Sequence, residues 1–326
     1  MISLADSLLR LPRERFALAP TPVQELARLR DLLGGAGRVP RLLIKRDDLN
    51  GVALGGNKLR KLEWLVADAL DRGCDTLLTA GAAQSNHCRQ TAGVGAMYGM
   101  EVHLCLRGPE PATATGNLVA DRWLGAKLHF SEPGADVSAA MRDLAERLRQ
   151  EGKNPYPIPI GGSNAIGAVG YAAAVLEWTE QGIVPDYVAV ATGSGGTQAG
   201  IETGVRLLGS KSVVLGYGVA LPDGRSWAED IADLATATAA RLGSDEIVTP
   251  EQVRCGTEYM GPRYGAPTPE SQEALRLLAR VEGVFLDPVY SAKAMAGLID
   301  DIRKERFAPE DTVLFIHTGG TPALFA

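Results

Sequence analysis

The sequence predicts an α/β protein of about two domains, each an open, doubly wound parallel sheet with helices on both faces. Three observations point there. Short apolar runs of strand type alternate with stretches of helical spacing. Glycine clusters follow several of those runs, at the strand ends where such sheets hold ligands. The 326 residues correspond to about two domains at roughly 150 residues each.

In chain order, Leu62, Leu65, Val66, Ala69 and Leu70 recur at helical spacing, with Gly73 as a stop. A strand is expected over 76–79 and a helix from Ser85 towards Tyr98. Strands over 101–106 and 127–130, a helix over 136–150 and a proline-rich strand over 156–160 come next. The run 187–191 is a buried-type strand, followed by a glycine loop and a helix from about Thr197. Strands over 212–219, 284–286 and 312–316, separated by helical stretches, complete the pattern.

Composition excludes several functions. With 33 basic and 39 acidic residues the net charge is −6, unsuited to phosphate-backbone binding or to a polybasic membrane contact. No run approaches the roughly 18 apolar residues of a spanning helix, and Asp6 interrupts the start, so no secretory signal is expected. Cys74, Cys88, Cys105 and Cys255 are scattered without a C-x-x-C, which suits thiols in a reducing cytosol. His87, His103, His129 and His317 form no metal-binding pair, and no metal is expected.

The loop Ala191-Thr192-Gly193-Ser194-Gly195-Gly196-Thr197 joins a strand to a helix. Small residues there let successive N–H groups face one anion, aided by the helix dipole. No Gly-Lys-Ser/Thr follows, and Gln198 stands where a dinucleotide fingerprint needs glycine. The expected ligand is a phosphorylated small molecule; the alternative is a glycine turn without a ligand. In Gly55-Gly56-Asn57-Lys58-Leu59-Arg60-Lys61, Asn57 is placed to cap a helix that Lys58 begins. Burial and positive potential would leave Lys58 neutral, as Schiff-base chemistry requires. Lys61 is an equally visible candidate, and either lysine could simply be solvated. Ser85 and Asn86 open a helix whose N–H groups suit a carboxylate, or else merely cap it. Tyr290, Tyr264 and Thr318 are further loop residues, able to meet a ligand or to pack.

Six segments together resemble one family: IKRDDLNGVALGGNKLRKLE (44–63), TAGAAQSNHCRQTA (79–92), IPIGGSNAIGAVGY (158–171), ATGSGGTQAG (191–200), LDPVYSAKAMAGLID (286–300) and FIHTGGTPALF (315–325). They are similar to the aminocyclopropane-carboxylate deaminase/D-cysteine desulfhydrase family, pyridoxal-phosphate enzymes of the tryptophan synthase β-like fold (fold type II). The resemblance implies that Lys58 bonds the cofactor covalently and that Asn86 meets its ring hydroxyl. It places the phosphate on Gly193, Ser194, Gly195, Gly196 and Thr197, with Thr318 also beside the cofactor. Ser85, Asn86 and His87 are implied at the substrate carboxylate, Ser85 also in proton movement, and Tyr290 and Tyr264 at the reacting atoms. It implies a larger domain of 1–64 and 166–326, a smaller one of 65–165 with the cofactor between them, and a cytoplasmic homodimer.

Two positions separate subgroups. The deaminase pattern carries a glutamate after DPVY and a leucine after the histidine of the last glycine motif; here stand Ser291 and Thr318. A hydroxyl keeps a pyridine nitrogen protonated far less than a carboxylate does, which favours expelling a thiol over opening a cyclopropane. The expected activity is β-elimination of D-cysteine to pyruvate, hydrogen sulfide and ammonia. The alternatives are an L-cysteate sulfo-lyase, for which Arg263 and Arg89 are candidate sulfonate contacts, then the cyclopropane deaminase, then a non-catalytic binder of a phosphorylated ligand.

Overall fold

Residues 3–220 and 226–326 are described by the computed structural model. Runs such as Leu42-Leu43-Ile44 and Val313 to Ile316 are almost fully buried, because helices cover both sides of the sheet they form. The strands are β1 (Val23–Glu25), β2 (Arg41–Arg46), β3 (Thr76–Ala82), β4 (Glu101–Arg107), β5 (Lys127–Phe130), β6 (Pro155–Pro157), β7 (Tyr187–Thr192), β8 (Val213–Gly218), β9 (Arg254–Gly256) and β10 (Thr312–His317). The helices are α1 (Leu4–Leu9), α2 (Ala27–Leu33), α3 (Lys58–Asp71), α4 (Asn86–Met97), α5 (Gly116–Trp123), α6 (Val137–Gln150), α7 (Ala165–Glu180), α8 (Gly196–Leu207), α9 (Trp227–Arg241), α10 (Pro269–Glu282) and α11 (Ser291–Arg303).

The strands form two sheets. One runs β1-β2-β10-β7-β8-β9, parallel throughout except for the antiparallel edge pair β1–β2. The other runs β5-β4-β3-β6 and is entirely parallel. On the first sheet α10 and α11 pack on one face, and α7 and α8 on the other. On the second, α3 and α4 cover one face, while Val137, Met141, Leu144 and Leu148 of α6 cover the other.

Three local expectations are corrected. The segment 284–286 is no strand: Val284 and Leu286 are buried, but Phe285 is exposed and its carbonyl accepts from His317 Nε2 at 2.9 Å rather than from a neighbouring strand. The piece over 156–160 pairs only as Pro155–Pro157, since proline has no N–H for the ladder, and then turns at Ile160–Gly162. Asn57 does stand before α3, but its side chain makes no capping bond. Gln90 Oε1 takes that role, accepting from Leu59 N–H at 3.0 Å. The helix over 136–150 does gain its cap, Asp136 Oδ1 accepting from Ser138 and Ala139 N–H.

Candidate active site

The carboxyl ends of β3, β7 and β10 and the loop after β2 open on one cavity of about 680 Å³. Lys58, Ser85, Asn86, His87, Gly193, Ser194, Gly195, Thr197, Tyr264, Tyr290 and Thr318 all line it. Gly196 stands just behind the wall as the first residue of α8.

Lys58 begins α3, and its amine reaches the cavity with Asn57 Oδ1 at 2.9 Å. Burial lowers its pKa to about 8, against the pull of the Asp287 carboxylate. Asn57 also donates from Nδ2 to Thr197 Oγ1 at 3.0 Å, so one amide ties the lysine to the glycine loop. Lys61, one turn later, is buried and turned beneath that loop. Its amine donates to the Gly161 carbonyl at 3.0 Å and to Ser163 Oγ at 3.3 Å. Burial, then the Lys58 charge, depresses its pKa well below the usual lysine range.

The glycine loop turns sharply into α8. Gly195 has φ +75°, and a Cβ on Gly196 would stand 2.5 Å from Ser163 Oγ and 2.8 Å from Lys61 Nζ. The N-terminus of α8 is thereby brought against the buried Lys61 amine, which among the described residues has no carboxylate partner. Sequence alone offers no sign of this role for Lys61, because the contact spans about a hundred residues of chain.

Ser85 caps α4, its hydroxyl accepting from Cys88 N–H at 3.2 Å, and the first-turn N–H groups of α4 point out of the helix start. His87 lines the cavity, but its ring is engaged elsewhere. Its Nε2 lies 2.9 Å from Thr79 Oγ1, whose proton goes to the Ile158 carbonyl, so the imidazole donates there. Burial, then Lys58 and Lys61, holds its pKa well below the usual histidine range. A neutral ring with its donor engaged gives a carboxylate nothing, which leaves the main-chain N–H groups of α4 for that task.

Tyr290 and Tyr264 meet hydroxyl to hydroxyl, rings edge to face at 6.0 Å. Burial raises both phenol pKa values, so both stay protonated at neutral pH. Asp287 fixes Tyr290 from behind: its carboxylate accepts from the N–H groups of Val289, Tyr290 and Ser291 and from Ser291 Oγ at 2.6–2.9 Å. Ser291 is fully buried on that aspartate, whereas Thr318 opens to the cavity. Arg89 is turned away, its guanidinium donating to the Ala53 and Gly55 carbonyls. Arg263 lines the cavity with Arg107, which no motif singles out. Among the described residues neither has a hydrogen-bond or ion-pair partner for its guanidinium.

A family model described as pyridoxal-phosphate dependent enzyme matches residues 15–319. Among solved structures, the chain is similar to one described as an ACC deaminase homologue, at 35% identity and TM-score 0.91, covering 100% of this chain and 97% of the other. A pyridoxal 5'-phosphate-dependent aspartate racemase shares the fold at 18% identity and TM-score 0.68, over 92% and 90% of the two chains. Threonine deaminase isoform 2 from Solanum lycopersicum does so at 16% identity and TM-score 0.66, over 94% and 80%.

Proposed function

The chain belongs to the pyridoxal-phosphate dependent enzymes, and on that premise we propose that it eliminates sulfide from D-cysteine, giving pyruvate, hydrogen sulfide and ammonia. The residues present suit the cofactor. Lys58 supplies an amine at about pKa 8 inside the cavity. The start of α8 over Lys61 suits a phosphate, and the Asn86 amide and Thr318 hydroxyl face the space between. When bound, the cofactor supplies an electron-accepting ring that stabilises negative charge at the substrate α-carbon.

The chain's own groups divide the remaining work. The N–H groups at the start of α4 orient the substrate carboxylate, with the Ser85 hydroxyl beside them. Lys58, neutral in a fair share of molecules near neutral pH, is the group to take the α-proton. Tyr290 and Tyr264 hold their protons, and their hydroxyl pair has one to give to a departing sulfur.

The observation that carries the proposal is the hydroxyl character of two positions. Where the deaminase pattern has glutamate, Ser291 is spent on Asp287, itself saturated with four hydrogen bonds. The open side chain after β10 is Thr318. Weak electron withdrawal suits a substrate with a good leaving group. A second reading, L-cysteate with sulfite as leaving group, is favoured by Arg107 and Arg263 in the cavity wall, whose guanidinium groups have no partner among the described residues.

The test is parallel assay of D-cysteine, L-cysteine, L-cysteate and aminocyclopropane carboxylate for pyruvate, ketobutyrate, sulfide and sulfite. Sulfide and pyruvate in equal amounts from D-cysteine is the expected result. Sulfite from cysteate without sulfide from D-cysteine replaces the first reading by the second, and ketobutyrate release as the main activity removes both. The proposed assembly is a cytoplasmic homodimer, checked by light scattering against the 34.4 kDa chain mass.

A further inference from the structure

The way Asn86 faces the cavity is set from outside it. Asn117 lies in the first turn of α5 and is fully buried. Its side-chain nitrogen donates to the Gln84 main-chain carbonyl at 2.9 Å and to Asn86 Oδ1 at 2.8 Å. A main-chain carbonyl only accepts, so the Asn117 atom facing it is nitrogen. The Asn86 atom on that same nitrogen is therefore oxygen. The Asn86 nitrogen is turned the other way, beside Gly320, whose Cβ position would stand 2.9 Å from it. Gln84 completes the clasp: its Oε1 accepts from Asn117 N–H at 2.9 Å, and its Nε2 donates to the Thr115 carbonyl at 3.0 Å.

We infer that Asn117 is a positioning residue that locks the Asn86 amide as a hydrogen-bond donor to an oxygen of the bound cofactor, without itself reaching the cavity. The inference rests on the pyridoxal-phosphate reading of the site. An amide free to turn presents oxygen as readily as nitrogen, and its oxygen would repel an electron-rich ring oxygen. With the amide fixed before the cofactor arrives, no ordering is left for the binding step.

The test is a double-mutant cycle on cofactor binding without substrate. Wild type, Asn117→Ala, Asn86→Ala and the double variant are compared by cofactor dissociation constant and visible absorption spectrum. Asn117→Ala is expected to weaken binding about tenfold and to shift the absorption maximum. In the Asn86→Ala background the same substitution should change binding by less than about twofold and leave the spectrum unmoved. Two single losses that multiply in the double variant overturn the inference, as does a folded Asn117→Ala protein with unchanged affinity and spectrum. Asn117→Ser keeps a donor in the first turn of α5 on a side chain one bond shorter, and replaces alanine throughout the cycle if that variant does not fold. A failed D-cysteine assay leaves these readings intact, whereas a wild-type protein that takes up no cofactor overturns both the inference and the site reading beneath it.

Discussion

Two lysines one helical turn apart share glycine-rich surroundings, yet Lys58 is half-buried and ends in the cavity, while Lys61 is buried and held by Gly161 and Ser163. Lys58→Ala is expected to lower turnover by more than about 1,000-fold and to abolish borohydride fixation of the cofactor. Lys61→Ala should keep the covalent link and weaken cofactor affinity instead; mass spectrometry of the reduced protein separates the two. Only the neutral Lys58 amine attacks an aldehyde, and burial puts its pKa at about 8. Cofactor capture by the apoprotein, followed by absorbance, should therefore quicken by about tenfold per pH unit up to that value and level off above it. A rate flat between pH 6 and pH 8 would contradict this.

At the scale of the element, the start of α8 does two jobs that rest on missing side chains. Gly195 turns the chain at φ +75°, and Gly196 admits Ser163 and Lys61 close beneath the helix end. Gly196→Ala puts a methyl 2.5 Å from Ser163 Oγ and 2.8 Å from Lys61 Nζ. The expected result is a loss of about 1–3 kcal/mol of stability from overpacking, and weaker cofactor binding through displacement of the lysine. Chemical denaturation and equilibrium dialysis read the two effects separately. Helix α3 illustrates a different dependence. Its first turn is capped by Gln90 from α4, which frees Asn57 to bridge Lys58 and Thr197.

Over the whole molecule, a buried charge network joins the elements that carry Lys58. Arg60 of α3 pairs with Asp47 after β2 and with Glu177 of α7, and Lys45 of β2 also reaches Glu177. Burial works against the Glu177 carboxylate, but Arg60 and Lys45 hold its pKa down at about 2, below the ordinary 4.5. That contribution to stability is complete above pH 4.5 and is lost as pH falls towards 2. Glu177→Ala leaves two buried cations short of a partner and should cost about 3–5 kcal/mol. Urea midpoints recorded from pH 7 to pH 3 should fall less steeply for the variant than for the wild type. The strand–helix alternation, the glycine loops and the motif around Lys58 were legible in the sequence, because periodicity and turn chemistry are properties of neighbouring residues. The failures were equally physical. Apolar residues at 284–286 look like a strand until the Phe285 side chain turns outward and its carbonyl accepts from the buried His317, and Arg89 looks available until its guanidinium closes on the loop at Ala53 and Gly55. The sequence by itself determined the alternating parallel α/β class and the residues that meet in the cavity. Only the tertiary structure decided that Lys61 lies under the glycine loop, that the His87 ring donates to Thr79, and that Arg107 joins Arg263, since each depends on partners brought together by long-range packing rather than by spacing along the chain.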